Sequence, residues 1–416
     1  MAFQDSRLKA GKPIDQQVNE LGTVKKSLLQ LPTIFCIRSK SPFRSILYIA
    51  VFVSSFLICT SIVFAHTPIS VMSDDDSSSF GADGPIIIHN ENGMLCYSIV
   101  PDKNGFTKVT KSVKKDETFT CNIGSSGRIF SFELKKRIVN EPDYYPLPQK
   151  MLVISDIEGN FEGIESILIG AGVIDSQLNW SFGTGHLILP GDFLDRGLNV
   201  TECLWLIYKL ETEAEQAGGK VHFILGNHEV MNMREDLRYV RKKYLANADS
   251  LGLDYKKWYS AESELGRWLR SKNCIERIGS YIFVHGGISP QLQAANMNIG
   301  EINSHLRIVI DKPFDSTSTY VDSLILKSKG PLWYRGMALG ELSADSVTGI
   351  LQQLDADKVI IGHTVFDEIT SLYNGSVIAI DLDHVENHKL GFMKALWYES
   401  SGFSVIDNRG NLSQLK

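Results

Sequence analysis

From Met151 onward, short apolar runs alternate with amphipathic stretches. MLVISD, HLILPGD, KVHFILGNHE, YIFVHGG, KVIIGHT and SVIAIDLDH each read as a buried strand closing on a polar cluster. FEGIESILIGAGV and TECLWLIYKLETEAEQAGG carry apolar residues at helical spacing, and the second ends in a Gly pair that reads as a helix stop. Trp205, Tyr208 and Leu210 fall on the apolar side of that helix, a core face. This strand–helix alternation predicts an α/β domain over residues 147–416. In such folds ligands collect at the carboxyl ends of the strands. One sheet edge would therefore gather Asp156, Asp192, Asn227, His285 and His363, far apart as they are in the chain.

The pattern before that domain is different. Between 85 and 140, PIIIH, MLCYSIV, TFTCNI and RIFSFEL are separated by NENG, DKNG and GSSG, the spacing of a small antiparallel β module. EPDYYPLPQ then reads as a boundary, and the Ser/Asp/Gly-rich residues 66–84 read as a flexible linker. Ser45–Ala65 is an uncharged apolar run, about the twenty residues a helix needs to cross a bilayer. Lys25, Lys26, Arg38, Lys40 and Arg44 precede it, and Asp74, Asp75 and Asp76 follow. The positive-inside rule places residues 1–44 in the cytoplasm and the rest on the extracytoplasmic, periplasmic side of a single-pass anchor. Cleavage as a signal, with Val63 and Ala65 as the cleavage box and a secreted protein as the product, is the alternative reading.

Composition narrows the choices only a little. With 43% hydrophobic and 22% charged residues the chain is an ordinary globular one, and its net charge of -6 speaks against binding a nucleic acid duplex. In an oxidising compartment Cys96 and Cys121 are candidates for a disulfide, with two buried thiols as the alternative. Cys203 and Cys274 read as core thiols, and the absence of a CxxC pair argues against a cysteine zinc site.

The strand ends offer carboxylates (Asp156, Glu158, Asp192), an amide oxygen (Asn227) and imidazoles (His285, His363). Mixed oxygen and nitrogen donors suit Mn, Fe, Zn or, less well, Mg. Such a set can hold two ions about 3.5–4 Å apart, bridged by a carboxylate and a hydroxide nucleophile. Attack on phosphorus also calls for arginines at the phosphoryl oxygens and an acid for the leaving group. His186 and His222 lie inside strand-like runs and read as structural, while His305 and His388 have no partner pattern. Asp381, Asp383 and His384 end a strand beyond the last of these clusters, where they could line a pocket.

GDFLDRG (Gly191–Gly197), LGNHE (Leu225–Glu229), VHGGISP (Val284–Pro290) and IGHT (Ile361–Thr364) occur in that order. Together they resemble the calcineurin-like metallophosphoesterase superfamily, near its phosphoprotein phosphatase and Shewanella-like bacterial branches, over Met151 to His384. The resemblance implies a four-layer α/β/β/α sandwich and two divalent metal ions. It implies Asp156 as a first-metal ligand, Asp192 as the bridge, and Asn227, His285 and His363 on the second metal. It implies His228 as the leaving-group acid, oriented by Asp195, with Arg196 and Arg335 as phosphate clamps; a structural ion-pair network is the other reading of Asp195 and the two arginines.

One position departs. The family pattern is Asp-x-His-Gly, whereas here Asp156-Ile157-Glu158-Gly159 places Glu158 where the first-metal imidazole belongs. A carboxylate is the harder donor and favours Mn, Fe or Mg over Zn. The expected activity is hydrolysis of phosphate monoesters by the bridging hydroxide, with phosphoprotein or phosphopeptide as substrate. A nucleotide or diadenosine polyphosphate hydrolase stays open, as does a membrane-tethered binding protein with a degenerate metal site.

Overall fold

A computed structural model describes residues 80–400 and 402–416. The expected 1–44 tail, the Ser45–Ala65 span and residues 66–79 of the expected linker lie outside the described residues; the linker's last residues are not flexible, since Ala82 and Asp83 are buried and a strand begins at Asp83. Among the described residues no helix is long and apolar enough to cross a membrane.

β1 (Asp83–Asn90), β2 (Gly93–Asp102) and β3 (Gly105–Val113) form an antiparallel sheet, and β4 (Thr118–Asn122) pairs with β5 (Ile129–Glu133) as a hairpin. These strands have no core of their own. Ile86, Cys121, Phe130 and Phe132 share one hydrophobic cluster with the helices of the following domain. The Phe132 ring stacks 4.2 Å from Trp205, whose Nε1 donates to Pro85 O at 2.8 Å. The segment thus serves as an outer wall packed on the helix that carries Trp205.

The expected Cys96–Cys121 disulfide is not formed: both thiols are free and buried. Cys121 Sγ donates to Gly84 O at 3.3 Å, while Cys96 Sγ lies 4.0 Å from Ser98 Oγ. Each sulfur is occupied by its own neighbour, and burial pushes both thiols above their ordinary pKa.

The remaining strands build two larger sheets. The first orders β17 (Leu412–Gln414), β16 (Gly402–Asp407), β15 (Lys394–Glu399), β7 (Lys150–Val153), β8 (His186–Pro190) and β9 (Lys220–Ile224). The second orders β13 (Thr370–Leu372), β14 (Val377–Ala379), β12 (Lys358–Ile361), β11 (Tyr281–Val284), β10 (Ile275–Ile278) and β6 (Tyr144–Tyr145). Alternation along the strands explains how they stack, because successive side chains face opposite ways. Met151, Val153, Ile188 and Ile224 join Ile278, Phe283, Ile360 and Ile378 in a cluster between the sheets. Leu152, Leu187, Leu189 and Val221 point outward, into the cluster shared with α1 (Phe161–Gly170) and α2 (Val200–Gln216). The result is the α/β/β/α layering that the resemblance implied.

The β7–β8–β9 and β11–β12–β14 runs are parallel, so their carboxyl ends open toward one side. That shared edge is where the polar clusters meet.

Candidate active site

Each parallel strand stops within three residues of a polar side chain of the site, and most then turn sharply. Asp156 (φ 55°), Glu158 (48°), Asp192 (60°), Asp195 (70°), Arg196 (53°) and His363 (64°) all adopt left-handed backbone. That conformation costs on the order of 1 kcal/mol or more for a residue with a side chain. Its concentration here means that surrounding contacts impose it.

Glu229 supplies much of that restraint. Its buried carboxylate accepts N–H groups from Asp192 (2.9 Å), Phe193 (2.8 Å), Leu194 (3.2 Å) and Gly226 (2.8 Å), joining the GDFLDRG and LGNHE loops. A Cβ at Gly226 would collide with Asp192, so glycine is what lets the two loops touch. This corrects the reading of KVHFILGNHE as a single strand. β9 ends at Ile224, and Asn227 begins α3 (Asn227–Met233), because Glu229 folds back to cap the helix start.

Asn227, Asp192, His285 and His363 converge. His285 Nε2 lies 3.0 Å from Asn227 Oδ1, 3.0 Å from Asp192 Oδ2 and 3.1 Å from His363 Nδ1. Donors this close suit one shared cation held at about 2.1 Å. His285 Nδ1 hydrogen-bonds to Pro190 O at 2.8 Å, which leaves Nε2 as the donor to the centre. Glu158, Asp192 and His228 form a second group, with ligand atoms within 4.8 Å of one another. Asp192 belongs to both groups, the placement a bridging carboxylate needs.

The other half is richer in carboxylates. Asp156 receives the His363 N–H at 3.2 Å and 3.3 Å, while Glu158 forms an ion pair with Arg196. Asp381, which the site expectation did not include, is buried on the same cavity wall. Its carboxylate makes no hydrogen bond or ion pair among the described residues. Burial, and then the neighbouring Asp156, push its pKa up to about 9. Burial likewise lifts Asp156 to about 6. Burial opposes charge on His285, but Asp192 and Asp156 outweigh it and hold its pKa at about 10. Among the described residues no cationic side chain bonds Asp156 or Asp381, and the oxygen and imidazole donors present fit divalent cations.

His228 sits where an acid is needed. Its Nδ1 bonds Asp195 Oδ2 at 2.6 Å, and Asn232 Nδ2 donates to the other Asp195 oxygen at 2.9 Å. Nε2 is thereby left toward the cavity, 3.8 Å from Asp192 Oδ2. Burial disfavours the imidazolium, yet Asp192 and Asp195 together raise its pKa. Arg196 lies over the Tyr239 ring at 5.2 Å. Arg335 donates to His363 O and, at 3.1 Å, to Thr364 Oγ1. Both arginines line the 300 Å³ cavity that holds Asp156, Glu158, Asp192 and Asp381. A 580 Å³ cleft adjoins it, sharing Asn227, Trp333, Arg335 and His363.

All ten expected site residues thus meet at one edge. The histidines read as structural lie elsewhere, His222 bonded to Glu276 (2.8 Å) and His186 (2.9 Å), and His305, which showed no partner pattern in the sequence, bonds Asp322 (2.6 Å). Asp383 caps the helix His384–Lys389 by accepting Glu386 N at 2.9 Å. Glu229 stands inside the LGNHE motif without a role in the sequence reading, although a carboxylate three residues into a helix start is a capping signal. Asp381 lay beyond the motifs, and only its strand-end position hinted at it.

Comparison with known proteins agrees with this geometry. The described domain superposes on the crystal structure of a cold-active protein-tyrosine phosphatase from a psychrophilic Shewanella species with a TM-score of 0.73 and 31% identity, covering 80% of this chain and 99% of that one. Shewanella-like protein phosphatase 2 of Arabidopsis thaliana is 42% identical over 98 residues, 24% of this chain and 25% of that protein. Shewanella-like protein phosphatase 1 of Plasmodium berghei is 27% identical over 244 residues, 56% of this chain and 66% of that protein. The family model for calcineurin-like phosphoesterases matches residues 149–367, just over half of the chain. This chain belongs to the calcineurin-like phosphoesterase family, and it is a metal-dependent phosphoester hydrolase.

Proposed function

We propose that this hydrolase dephosphorylates proteins or peptides, acting on phosphate monoesters. The observation that carries the reading is the His228–Asp195 pair, aimed into the same cavity as two donor groups that share Asp192. A binding protein has no use for a positioned leaving-group acid. The adjoining 580 Å³ cleft gives room for polypeptide on either side of a phosphorylated residue. The likeness to phosphatases acting on proteins supports the same substrate class.

In this reading Asp156, Glu158, Asp192, Asn227, His285 and His363 hold two divalent ions. When bound, those ions supply Lewis acidity and acidify a water near neutral pH. Arg196 and Arg335 hold the phosphoryl oxygens and compensate charge that grows on them. His228, kept in one tautomer by Asp195, gives a proton from Nε2 to the departing oxygen. The carboxylate of Glu158 favours Mn, Fe or Mg over Zn.

Turnover of a phosphoserine or phosphotyrosine peptide should exceed that of diadenosine tetraphosphate when both are assayed with Mn²⁺, and Asp192→Asn should abolish it. Preferential hydrolysis of the dinucleotide would replace this substrate class. We further propose that Ser45–Ala65 carries the domain across or to a membrane, a reading supported by its uncharged length and the basic residues before it. The amino-terminal sequence of the mature protein separates an anchor from a cleaved signal.

A further inference from the structure

β12 and β14 run parallel with Ile361 opposite Ala379. Two residues past each partner stand His363 and Asp381, side by side at the strand ends. The backbone at Asp381 is fixed on both sides. Ile380 N donates to Ile361 O at 2.9 Å, and Asp381 O accepts Phe366 N at 3.0 Å. The side chain is not held by anything comparable. Asp381 is 3% exposed, and no described residue donates a hydrogen bond to its carboxylate or pairs with it. A buried carboxylate without a partner is costly, so natural chains pair such a group or give it a cation. This one faces the cavity lined by Asp156, Glu158 and Asp192. The neighbouring His363 N–H reaches Asp156, which lines the same cavity.

We propose that Asp381 is a ligand of the first metal, joining Asp156, Glu158 and Asp192 in an all-oxygen set for a hard divalent cation such as Mn²⁺ or Mg²⁺. The proposal rests on the two-metal reading of the site, but not on which phosphoester is hydrolysed. It makes the molecule chemically asymmetric. Apart from the shared Asp192, imidazoles and an amide would hold one ion, and carboxylates alone the other. Oxygen-only donors discriminate against Zn²⁺ more strongly than a single Glu-for-His replacement does.

The test is Mn²⁺ binding to the metal-stripped full chain, followed by calorimetry and by electron paramagnetic resonance of the free ion. Parent protein should take up two ions. Asp381→Asn should keep one at parental affinity and bind the other at least about tenfold more weakly. Its metal-free melting temperature should not fall, because the change removes a buried carboxyl that no described residue bonds; a merely structural Asp381 would lower it. Asp381→His should move the preference of the weakened site toward Zn²⁺. Two ions bound by Asp381→Asn with parental affinity overturn the proposal and leave the hydrolase reading intact. A parent chain that binds no metal overturns both.

Discussion

Two clusters of buried charge lie in the same domain and differ in kind. One surrounds Glu141, where Lys272 bonds Glu141 at 3.0 Å and Glu211 at 2.7 Å. Lys220 adds a bond to Glu141 at 3.0 Å, and Lys135 reaches Glu211 at 3.1 Å. Every carboxylate there has an ammonium partner. The other cluster is the strand-end edge, where among the described residues Asp156 and Asp381 are buried with no cationic side chain bonded to them, Asp192 meets only the His285 and His228 imidazoles, and Glu158 has only Arg196. A balanced cluster is complete as folded and does no chemistry. An unbalanced one is held in place by contacts elsewhere, here by Glu229 and the left-handed turns, and waits for charge from outside. Imbalance is thus the mark that separates a site from a strut.

Breaking the balance of the first cluster should have the largest effect. Lys272→Met leaves Glu141 and Glu211 facing each other with less compensation, and should destabilise the protein by about 3–5 kcal/mol in chemical denaturation. Asp381→Asn, which alters a buried carboxyl of the unbalanced cluster, should cost nothing without metal. Equal losses for both would erase the distinction.

Next comes the acid. His228→Gln keeps a hydrogen bond toward Asp195 but has no proton to give. We expect kcat on an alkyl phosphate such as phosphoserine to fall by about a hundredfold or more. The loss on p-nitrophenyl phosphate should be far smaller, since that leaving group departs without protonation. Equal losses on both substrates would assign His228 to metal binding, as its place beside Glu158 and Asp192 would also allow.

The smallest effect is confined to acid. Burial opposes the charge of Glu141, but Lys272 and Lys220 prevail and hold its pKa at about 2, down from 4.5. Between these values the unfolded chain binds the proton more readily than the folded one. The stabilisation from Glu141 is therefore fully present above pH 4.5 and is lost as the pH falls through 2. Glu141→Gln should flatten the melting temperature over that interval, and an unchanged slope would count against the pairing.

The sequence displayed the site better than its surroundings. Asp192, Asn227, His285 and His363 stand inside fixed-spacing motifs, and a strand followed by a polar turn is enough to bring them to one edge. Asp381 follows an ordinary apolar run, and only the parallel register of β12 and β14 places it beside His363. The Cys96–Cys121 pairing failed for a related reason. Sequence spacing says how long a loop would be, not which neighbour each sulfur meets, and Cys121 turns to Gly84. The alternation in 85–140 revealed strands, but nothing in it announced that Phe132 would stack on Trp205. Long-range packing of one apolar face against another leaves no local signature.

The antiparallel pairing of β15 with β7 has a practical consequence for anyone who shortens the chain. Lys150–Val153 stands between β8 on one side and Lys394–Glu399 on the other. A fragment cut to residues 149–367, the span that matches the family, would bare one flank of the strand leading to Asp156 and discard Asp381 altogether. It would also strip the wall of strands from α2. Expressed alone, such a fragment offers unpaired backbone and uncovered aromatic surface to its own copies, the conditions under which chains aggregate. The boundary by which the family is recognised is shorter than the boundary at which this protein can be expected to stay in solution.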